Sequence, residues 1–241
     1  MLIEFCLPVY NEEKILAENV ATLLEYCKRK NFSFNWHIMI VVNGSKDDSA
    51  KIARGLAQVY SEIFSMEIEQ EGKGRAVKQA WQSSPADIFV YMDVDLAVSL
   101  ENLEVLLDAV IRQNYDLSLG SRLLPKSQTN RPYWRSVSSV IYNHMSRALL
   151  GHRFSDLQCG FKAIRSLVRD KIIDKVENDY WFFDTELVIW AHKAGFKIKE
   201  IPVHWQENRY QKRKSKINVF RDCWQFILKL IQLRDKIKTP F

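Results

Sequence analysis

Short apolar runs alternate with helix-forming segments through the first half of the chain. Between the runs, apolar residues recur at the three- and four-residue spacing of an amphipathic helix. Alternation of this kind predicts an α/β domain with a mostly parallel central sheet flanked by helices. The predicted strands cover residues 2–9, 38–42, 66–68, 88–92 and 117–119.

The second half of the chain is less regular. Its pattern predicts helices over residues 133–150, 184–193 and 219–236 and a strand over residues 197–203. The segment 209–216 carries five basic residues and no acid, which is typical of an exposed loop. The last predicted helix has a wide apolar face and a narrow polar strip. We therefore expect one α/β domain over residues 1–216 and an amphipathic helical extension over residues 217–241, packed on the core or at a membrane surface.

Polar side chains follow each of the first four predicted strands. Ligands of parallel α/β sheets bind beyond the carboxyl ends of the strands, so these residues predict a binding edge. Two of them, Asp93 and Asp95, follow the strand 88–92 with one residue between them. On an extended backbone both carboxylates would point to the same side and could hold one hard cation, Mg²⁺ or Mn²⁺. The alternative is a pair of surface acids near the start of the next helix.

Charge and cysteine content narrow the choice of partner only in part. The 35 basic and 29 acidic residues give a net charge of +6, which suits nucleic acid, anionic lipid or a phosphorylated substrate. The four scattered cysteines suggest neither a zinc cluster nor a disulfide framework. No secretory signal or segment of ~18–20 apolar residues is present. We expect a cytoplasmic protein that does not cross a membrane.

Several motifs in a set order resemble the family-2 glycosyltransferases, which have the GT-A nucleotide-diphospho-sugar transferase fold. The first half supplies Pro8, Tyr10, Asn11 and Glu12, then Asn43, Gly44 and Ser45, then Gly72, Lys73 and Gly74, then Asp93 and Asp95. The second half supplies Gly120, Ser121 and Arg122, then residues 156–162 and 181–187, then residues 201–205. These later motifs are similar to those of the dolichyl-phosphate glucose and mannose synthases and their polyprenyl-phosphate relatives.

The resemblance implies a role for each matching residue. Near the nucleotide it places Pro8, Tyr10, Glu12, Asn43, Lys73 and Gly74, and at the metal it places Asp93 and Asp95. It places Arg122, Arg135 and Lys216 at phosphates, and Asp156, Gln158, Asp184 and Glu186 around the sugar and the acceptor. Many relatives carry two acids where this chain has Val42 and Asn43, which leaves the base open, and Ala97 cannot supply a third metal contact that some relatives have.

The resemblance also implies an activity. The expected reaction is an inverting transfer of a hexose, glucose or mannose, from a UDP- or GDP-sugar to a polyprenyl (dolichyl) phosphate, at the cytosolic face of a membrane. The basic loop and the last helix suggest peripheral attachment to that surface. A membrane-protein partner or a homo-oligomer is compatible with the same arrangement.

Three other functions compete with this interpretation. A family-2 transferase could instead glycosylate a saccharide or another hydroxyl acceptor, with Asp184 or Glu186 as the base. A catalytically silent scaffold is disfavoured because both Asp93 and Asp95 are present. A nucleic-acid-binding module is disfavoured because aromatic and basic residues do not alternate as a stacking platform requires, so we expect no nucleic-acid partner.

Overall fold

The computed structural model describes residues 1–206 and 219–238. The strands are β1 (Leu2–Val9), β2 (Asn35–Asn43), β3 (Ile63–Ile68), β4 (Ile88–Met92), β5 (Leu117–Ser121), β6 (Gln128–Asn130), β7 (Phe161–Arg165), β8 (Ile198–Pro202) and β9 (His204–Gln206). The helices are α1 (Leu16–Lys30), α2 (Ser49–Val59), α3 (Lys73–Ser83), α4 (Asn102–Ile111), α5 (Tyr133–Leu150), α6 (Ser166–Ile172), α7 (Phe183–Lys193) and α8 (Val219–Lys236). A 3-10 turn, Ile173–Lys175, follows α6.

Seven of these strands form one sheet in the order β3-β2-β1-β4-β7-β5-β8. Strands β1 to β4 run parallel to one another, and β8 runs parallel to β5, whereas β7 is antiparallel to both β4 and β5. The predicted α/β fold with a mostly parallel sheet between helices is therefore confirmed. The short strands β6 and β9 pair in a separate two-stranded sheet.

Strand β7 has a direct consequence for the binding edge. Because it runs against β4, its first residue, Phe161, pairs with the last residue of β4, Met92. The residues that precede β7 therefore reach the edge where β1 to β4 end. The sequence analysis assigned no strand to residues 161–165, so it did not anticipate this arrangement.

Two apolar clusters cover the two faces of the sheet. One packs α1, α2 and α4 against the sheet, and the other packs α3, α6, α7 and α8. Strand β4 is buried at every position, which explains its continuous apolar sequence. Leu230 and Leu233 of α8 are buried in the second cluster. Among the described helices, none is both long and apolar enough to span a bilayer.

Candidate active site

The chain turns sharply after β4, at the two predicted metal ligands. The backbone N–H of Leu96 donates to the carbonyl oxygen of Asp93 at 3.1 Å, and Leu96 has a φ of +48°. A carboxylate oxygen of Asp95 accepts from the N–H of Ala97 at 3.1 Å. The prediction that Asp93 and Asp95 lie on an extended backbone was therefore wrong, because a hydrogen-bonded turn begins at Asp93. A left-handed conformation is uncommon for leucine, and such backbone clusters at functional sites.

A lysine from the start of α3 contacts the first of these carboxylates. Lys73 Nζ lies 2.8 Å from Asp93 Oδ1 and 3.7 Å from Asp184 Oδ2. The same ammonium group lies over the rings of Tyr91 and Trp181, at 4.9 and 4.6 Å from their centroids. Burial opposes its charge, but Asp93 and Asp184 outweigh burial and raise the pKa of Lys73. Lys73 therefore stays protonated and holds positive charge at the binding edge.

Gly160, the residue before β7, makes room for this ion pair. A Cβ atom at this position would clash with Asp93 Oδ2 and would lie 2.8 Å from Lys73 Nζ. Its carbonyl oxygen accepts from the N–H of Asp93 at 3.2 Å. Only glycine allows the backbone to come this close to both side chains.

Asp184 is part of a buried polar network at the start of α7. It forms an ion pair with Lys162, which is fully buried, and accepts from the hydroxyl of Tyr91 at 3.1 Å. Lys162 also donates to the carbonyl oxygen of Cys159 at 2.6 Å. Burial, followed by the charges of Asp184 and Asp93, raises the pKa of Tyr91 well above its usual range. Asp184 is thus held beneath the site by a lysine and a tyrosine.

Glu186 contacts a different part of the protein from Asp184. Its carboxylate accepts from the backbone N–H of Asn178 at 2.8 Å, and burial raises its pKa. Residues two apart on a helix point in different directions, so Asp184 and Glu186 contact different parts of the protein. The two acids predicted around the sugar and the acceptor therefore have different protein partners, and their role there stays a prediction.

Arg122 and Asp156 form a bidentate ion pair. Arg122 donates from Nε to Asp156 Oδ2 at 2.7 Å and from Nη2 to Oδ1 at 2.9 Å. Asp156 is fully buried, and although burial opposes its charge, Arg122 outweighs burial and lowers its pKa. The guanidinium of Arg122 also lies 4.9 Å from the ring centroid of Trp205. Asp156 thus holds Arg122 in one orientation, and its predicted place near the sugar stays a prediction.

Two further arginines lie around the start of α5, and the first of them, Arg131, is close enough to Arg122 to be repelled by its charge. Arg131 donates to the hydroxyls of Ser136 at 3.0 Å and Ser139 at 3.2 Å. Burial and then the charge of Arg122 lower the pKa of Arg131 to about 10, and Arg135 contributes in the same direction. Burial likewise lowers the pKa of Arg135. Mutual repulsion of this kind marks a concentration of positive charge that favours a phosphate.

The residues predicted near the nucleotide lie at the ends of β1 and β2. Asn43 donates to the carbonyl oxygen of Val9 at 2.8 Å and accepts from the N–H of Gly72 at 2.9 Å. Its amide therefore ties β1 to the loop before α3. Pro8 is buried within β1, and Glu12 is buried just beyond it, where its N–H donates to Ser49 Oγ at 2.9 Å.

The remaining predicted residues are placed as follows. Tyr10 is half-buried, and a hydrogen bond with Glu71 raises its pKa. Gly74 is buried, and a Cβ there would lie 2.6 Å from the carbonyl oxygen of Asn178, so this glycine serves close packing against the loop before α7. Gln158 donates to Thr185 Oγ1 at 2.6 Å. Lys216 lies outside the described residues.

The donor set after β4 fits a hard divalent cation. Asp93 and Asp95 offer carboxylate oxygens, which Mg²⁺ and Mn²⁺ prefer. In the part of the chain that the structure describes, no third acid, histidine or cysteine joins them. Water and phosphate oxygens would complete the shell, as is usual for Mg²⁺, which keeps several non-protein ligands.

Sequence reasoning missed Arg131, Lys162 and Trp181 as members of this site. Lys162 stood inside a recognised motif, and a charged residue within an apolar strand is itself a signal of a buried ionic partner. Arg131 precedes α5 with no local pattern to mark it, so only the fold brings it beside Arg122.

Comparisons with known proteins agree with this fold. The structure matches glycosyltransferases of the GT-A fold, such as glucosyl-3-phosphoglycerate synthase from Mycobacterium tuberculosis in complex with UDP, with a TM-score of 0.69, 15% identity and coverage of 99% of this chain and 81% of that chain. The same synthase is known in complex with Mn²⁺, UDP-glucose and phosphoglyceric acid. The family model described as "Glycosyl transferase family 2" matches residues 4–173. The chain therefore belongs to glycosyltransferase family 2.

Sequence relatives point to one branch of that family. Glycosyltransferase AglD of Haloferax volcanii is 33% identical over 217 residues, which are 90% of this chain and 34% of the relative. Dolichyl-phosphate beta-glucosyltransferase ALG5D of Trichomonas vaginalis is 29% identical over 223 residues, which are 88% of this chain and 68% of the relative. The chain thus resembles the dolichyl-phosphate glucose synthases, and it spans about a third of the length of AglD.

Proposed function

We propose that this chain is an inverting hexosyltransferase that uses a UDP- or GDP-sugar and a divalent cation to glycosylate a polyprenyl phosphate. The observation that carries the proposal is the grouping of Lys73, Asp93 and Asp95 at one sheet edge with a cluster of arginines nearby. Glucose is favoured over mannose, because the relative ALG5D is named a dolichyl-phosphate beta-glucosyltransferase. The complex of the fold relative with Mn²⁺ and UDP-glucose supports the donor and the cation.

The state of the two candidate bases supports a phosphate acceptor. Asp184 forms an ion pair with Lys162 and a hydrogen bond with Tyr91, and Glu186 accepts a hydrogen bond from the backbone N–H of Asn178. A hydroxyl acceptor would need one of these carboxylates as a general base. A phosphate monoester has a second pKa near ~6 and is already ionised at neutral pH, so it needs no base.

The proposed chemistry is a single displacement at the anomeric carbon. An acceptor phosphate oxygen forms the new bond to that carbon while its bond to the diphosphate oxygen breaks, and the electron pair leaves with the nucleoside diphosphate. A divalent cation held by Asp93 and Asp95 would act as a Lewis acid toward the diphosphate. Lys73 adds a fixed positive charge, and Arg122 and Arg135 bind phosphate, with Asp156 holding Arg122 in place.

The proposal also assigns roles to the two segments of the chain and to the remaining candidate residues. Residues 1–216 form the catalytic domain, residues 217–241 form the C-terminal extension, and Lys216 contributes to phosphate binding. Pro8, Tyr10, Glu12 and Asn43 border the nucleotide, and Gln158 borders the acceptor. The protein works as a peripheral protein at the cytosolic membrane face.

A transfer assay tests the proposal. UDP-glucose and GDP-mannose are each offered with Mn²⁺ or Mg²⁺ to a short-chain polyprenyl phosphate and, separately, to a saccharide. We expect transfer to the phosphate, with loss of at least about a hundredfold in turnover for Asp95→Asn. The matched control, Asp108→Asn on α4, removes an acid outside the site and should retain full turnover.

Two outcomes would contradict the proposal. Normal turnover of the Asp95→Asn variant would show that Asp95 does not hold a catalytic cation. Transfer to the saccharide, with none to the phosphate, would favour the alternative family-2 transferase that acts on a hydroxyl acceptor.

A further inference from the structure

Helix α5 buries polar as well as apolar side chains and exposes an apolar stripe. Its buried residues include Asn143 and Ser146, which are both polar. Its exposed large side chains are Tyr133, Trp134, Val137, Val140 and Ile141. At about 100° per residue these five positions fall within a sector of about 120°, so they form one continuous apolar stripe.

Hydrogen bonds to the core hold α5 in this orientation. Asn143 Oδ1 accepts from the N–H of Leu157 at 3.1 Å, which ties the helix to the segment before β7. Ser146 Oγ lies 3.0 Å from His152 Nε2 within the same buried region. Turning the apolar side inward would leave these buried polar groups without partners, which is costly. The apolar stripe therefore faces outward because of the fold.

The charges around the stripe complement an anionic surface. Helix α5 carries Arg135 and Arg147 and has no acidic residue, and Arg131 comes two residues before its first turn. The stripe begins with a tyrosine and a tryptophan, side chains that favour the boundary between headgroups and acyl chains. Arg147 lies at one edge of the stripe, and Arg135 lies on the opposite side of the helix. An apolar face on a helix that carries arginines and no acid, with aromatic residues at one end, is typical of a helix that lies in the plane of a membrane.

We propose that the α5 stripe lies at the headgroup–acyl boundary of an anionic lipid bilayer, with Tyr133 and Trp134 at that boundary and the positive charge of the helix attracted to the headgroups. This adds α5 to the membrane contact expected of α8, of which Leu230 and Leu233 are buried in the core and Leu228 and Ile231 are exposed. Helix α8 packs against α5, where Tyr142 and Phe226 meet with ring centroids 5.5 Å apart. Helix α8 thus supports α5 from behind.

The position of the stripe also links the bilayer to the active site, a step that rests on the proposed function. Arg131 and Arg135 belong both to the start of α5 and to the arginine cluster around Arg122. A polyprenyl phosphate with its chain in the bilayer would therefore present its phosphate beside this cluster.

Vesicle co-sedimentation of the full chain tests the proposal. The vesicles are phosphatidylcholine, with or without phosphatidylglycerol. The test variant combines Val137→Asp with Ile141→Asp, at positions that are 38% and 55% exposed. The matched control combines Val105→Asp with Leu167→Asp, which are apolar, 48% and 62% exposed, and on other helices. A second variant, Val137→Ser with Ile141→Ser, removes the apolar side chains without adding charge and is used if the aspartate variant does not fold. Thermal unfolding is measured for every variant.

We expect the wild type and the control to bind anionic vesicles equally, and the stripe variants to bind at least about tenfold more weakly. Turnover with a water-soluble, short-chain phosphate acceptor should stay unchanged in the stripe variants. The binding result does not depend on any transfer activity, so it stands even if the proposed function fails.

Three results would overturn the proposal. The first is vesicle binding by folded stripe variants at the wild-type level. The second is a wild type that does not bind anionic vesicles. The third is a wild-type dimer that the stripe variants convert to monomers, with no vesicle binding by either, because a second copy of the chain would then cover the stripe.

Discussion

Replacing Gly160 with alanine would put a methyl group against the ion pair at the centre of the site. The new Cβ would clash with Asp93 Oδ2, and it would lie 2.8 Å from Lys73 Nζ and 2.9 Å from Asp93 Cγ. Ordinary contacts of a Cβ atom begin at 3.4 Å, so both side chains must move by at least half an ångström. The backbone at Gly160 cannot retreat easily, because its carbonyl accepts from Asp93 and the next residue begins β7.

Two magnitudes follow from this geometry. Overpacking of a buried position costs about 1–3 kcal/mol, so the free energy of unfolding should fall by that amount. A displacement near 1 Å in a catalytic site can reduce turnover by about a hundredfold. The control is Gly55→Ala, where a Cβ meets no atom within 4 Å, and where alanine in a helix should stabilise by about 0.5–1 kcal/mol.

The assay combines denaturant unfolding with steady-state transfer and donor binding for Gly160→Ala, Gly55→Ala and the wild type. A Gly160→Ala protein with wild-type turnover and donor affinity would refute the reasoning, because the Lys73–Asp93 pair would then have no bearing on the site.

Two further predictions concern buried charge. Asp156→Asn leaves the guanidinium of Arg122 without its carboxylate, so the free energy of unfolding should fall by about 3–5 kcal/mol in denaturant titrations, and an unchanged midpoint would contradict the ion pair. Burial lowers the pKa of His152 from 6.5 to about 4, so its neutral form stabilises the fold above pH 6.5, and this contribution is lost as the pH falls through about 4. His152→Phe should flatten that part of the stability–pH curve, and an identical slope in both proteins would exclude His152 as its source.

The local patterns of the sequence were enough to predict much of the fold. Strands β1 and β4 and helices α5 and α8 begin and end where the sequence predicts them, because each strand is a nearly continuous apolar run and each helix has an unbroken helical periodicity. Strand β7 was missed because its five residues include Lys162 and Arg165, which interrupt the apolar run. Lys162 is tolerated there because Asp184, 22 residues later, neutralises it, and no local pattern reveals such a partner.

The site was predictable as a set of residues but not as a set of contacts. The order of motifs identified Lys73, Asp93 and Asp184 as candidates. The structure places the two carboxylates around the ammonium group of Lys73. Sequence alone could not predict that Asp156 forms an ion pair with Arg122, or that Glu186 and Asp184 have different hydrogen-bond partners. These outcomes depend on tertiary packing between segments distant in the chain.

The proposed function requires a divalent cation at the turn after β4, together with the donor diphosphate. A crystal grown with Mn²⁺ and UDP-glucose, measured at a wavelength that reveals manganese, tests it most directly. We predict an anomalous peak in contact with carboxylate oxygens of Asp93 or Asp95 and with the diphosphate. A bound diphosphate with no manganese peak at these two carboxylates would contradict the account.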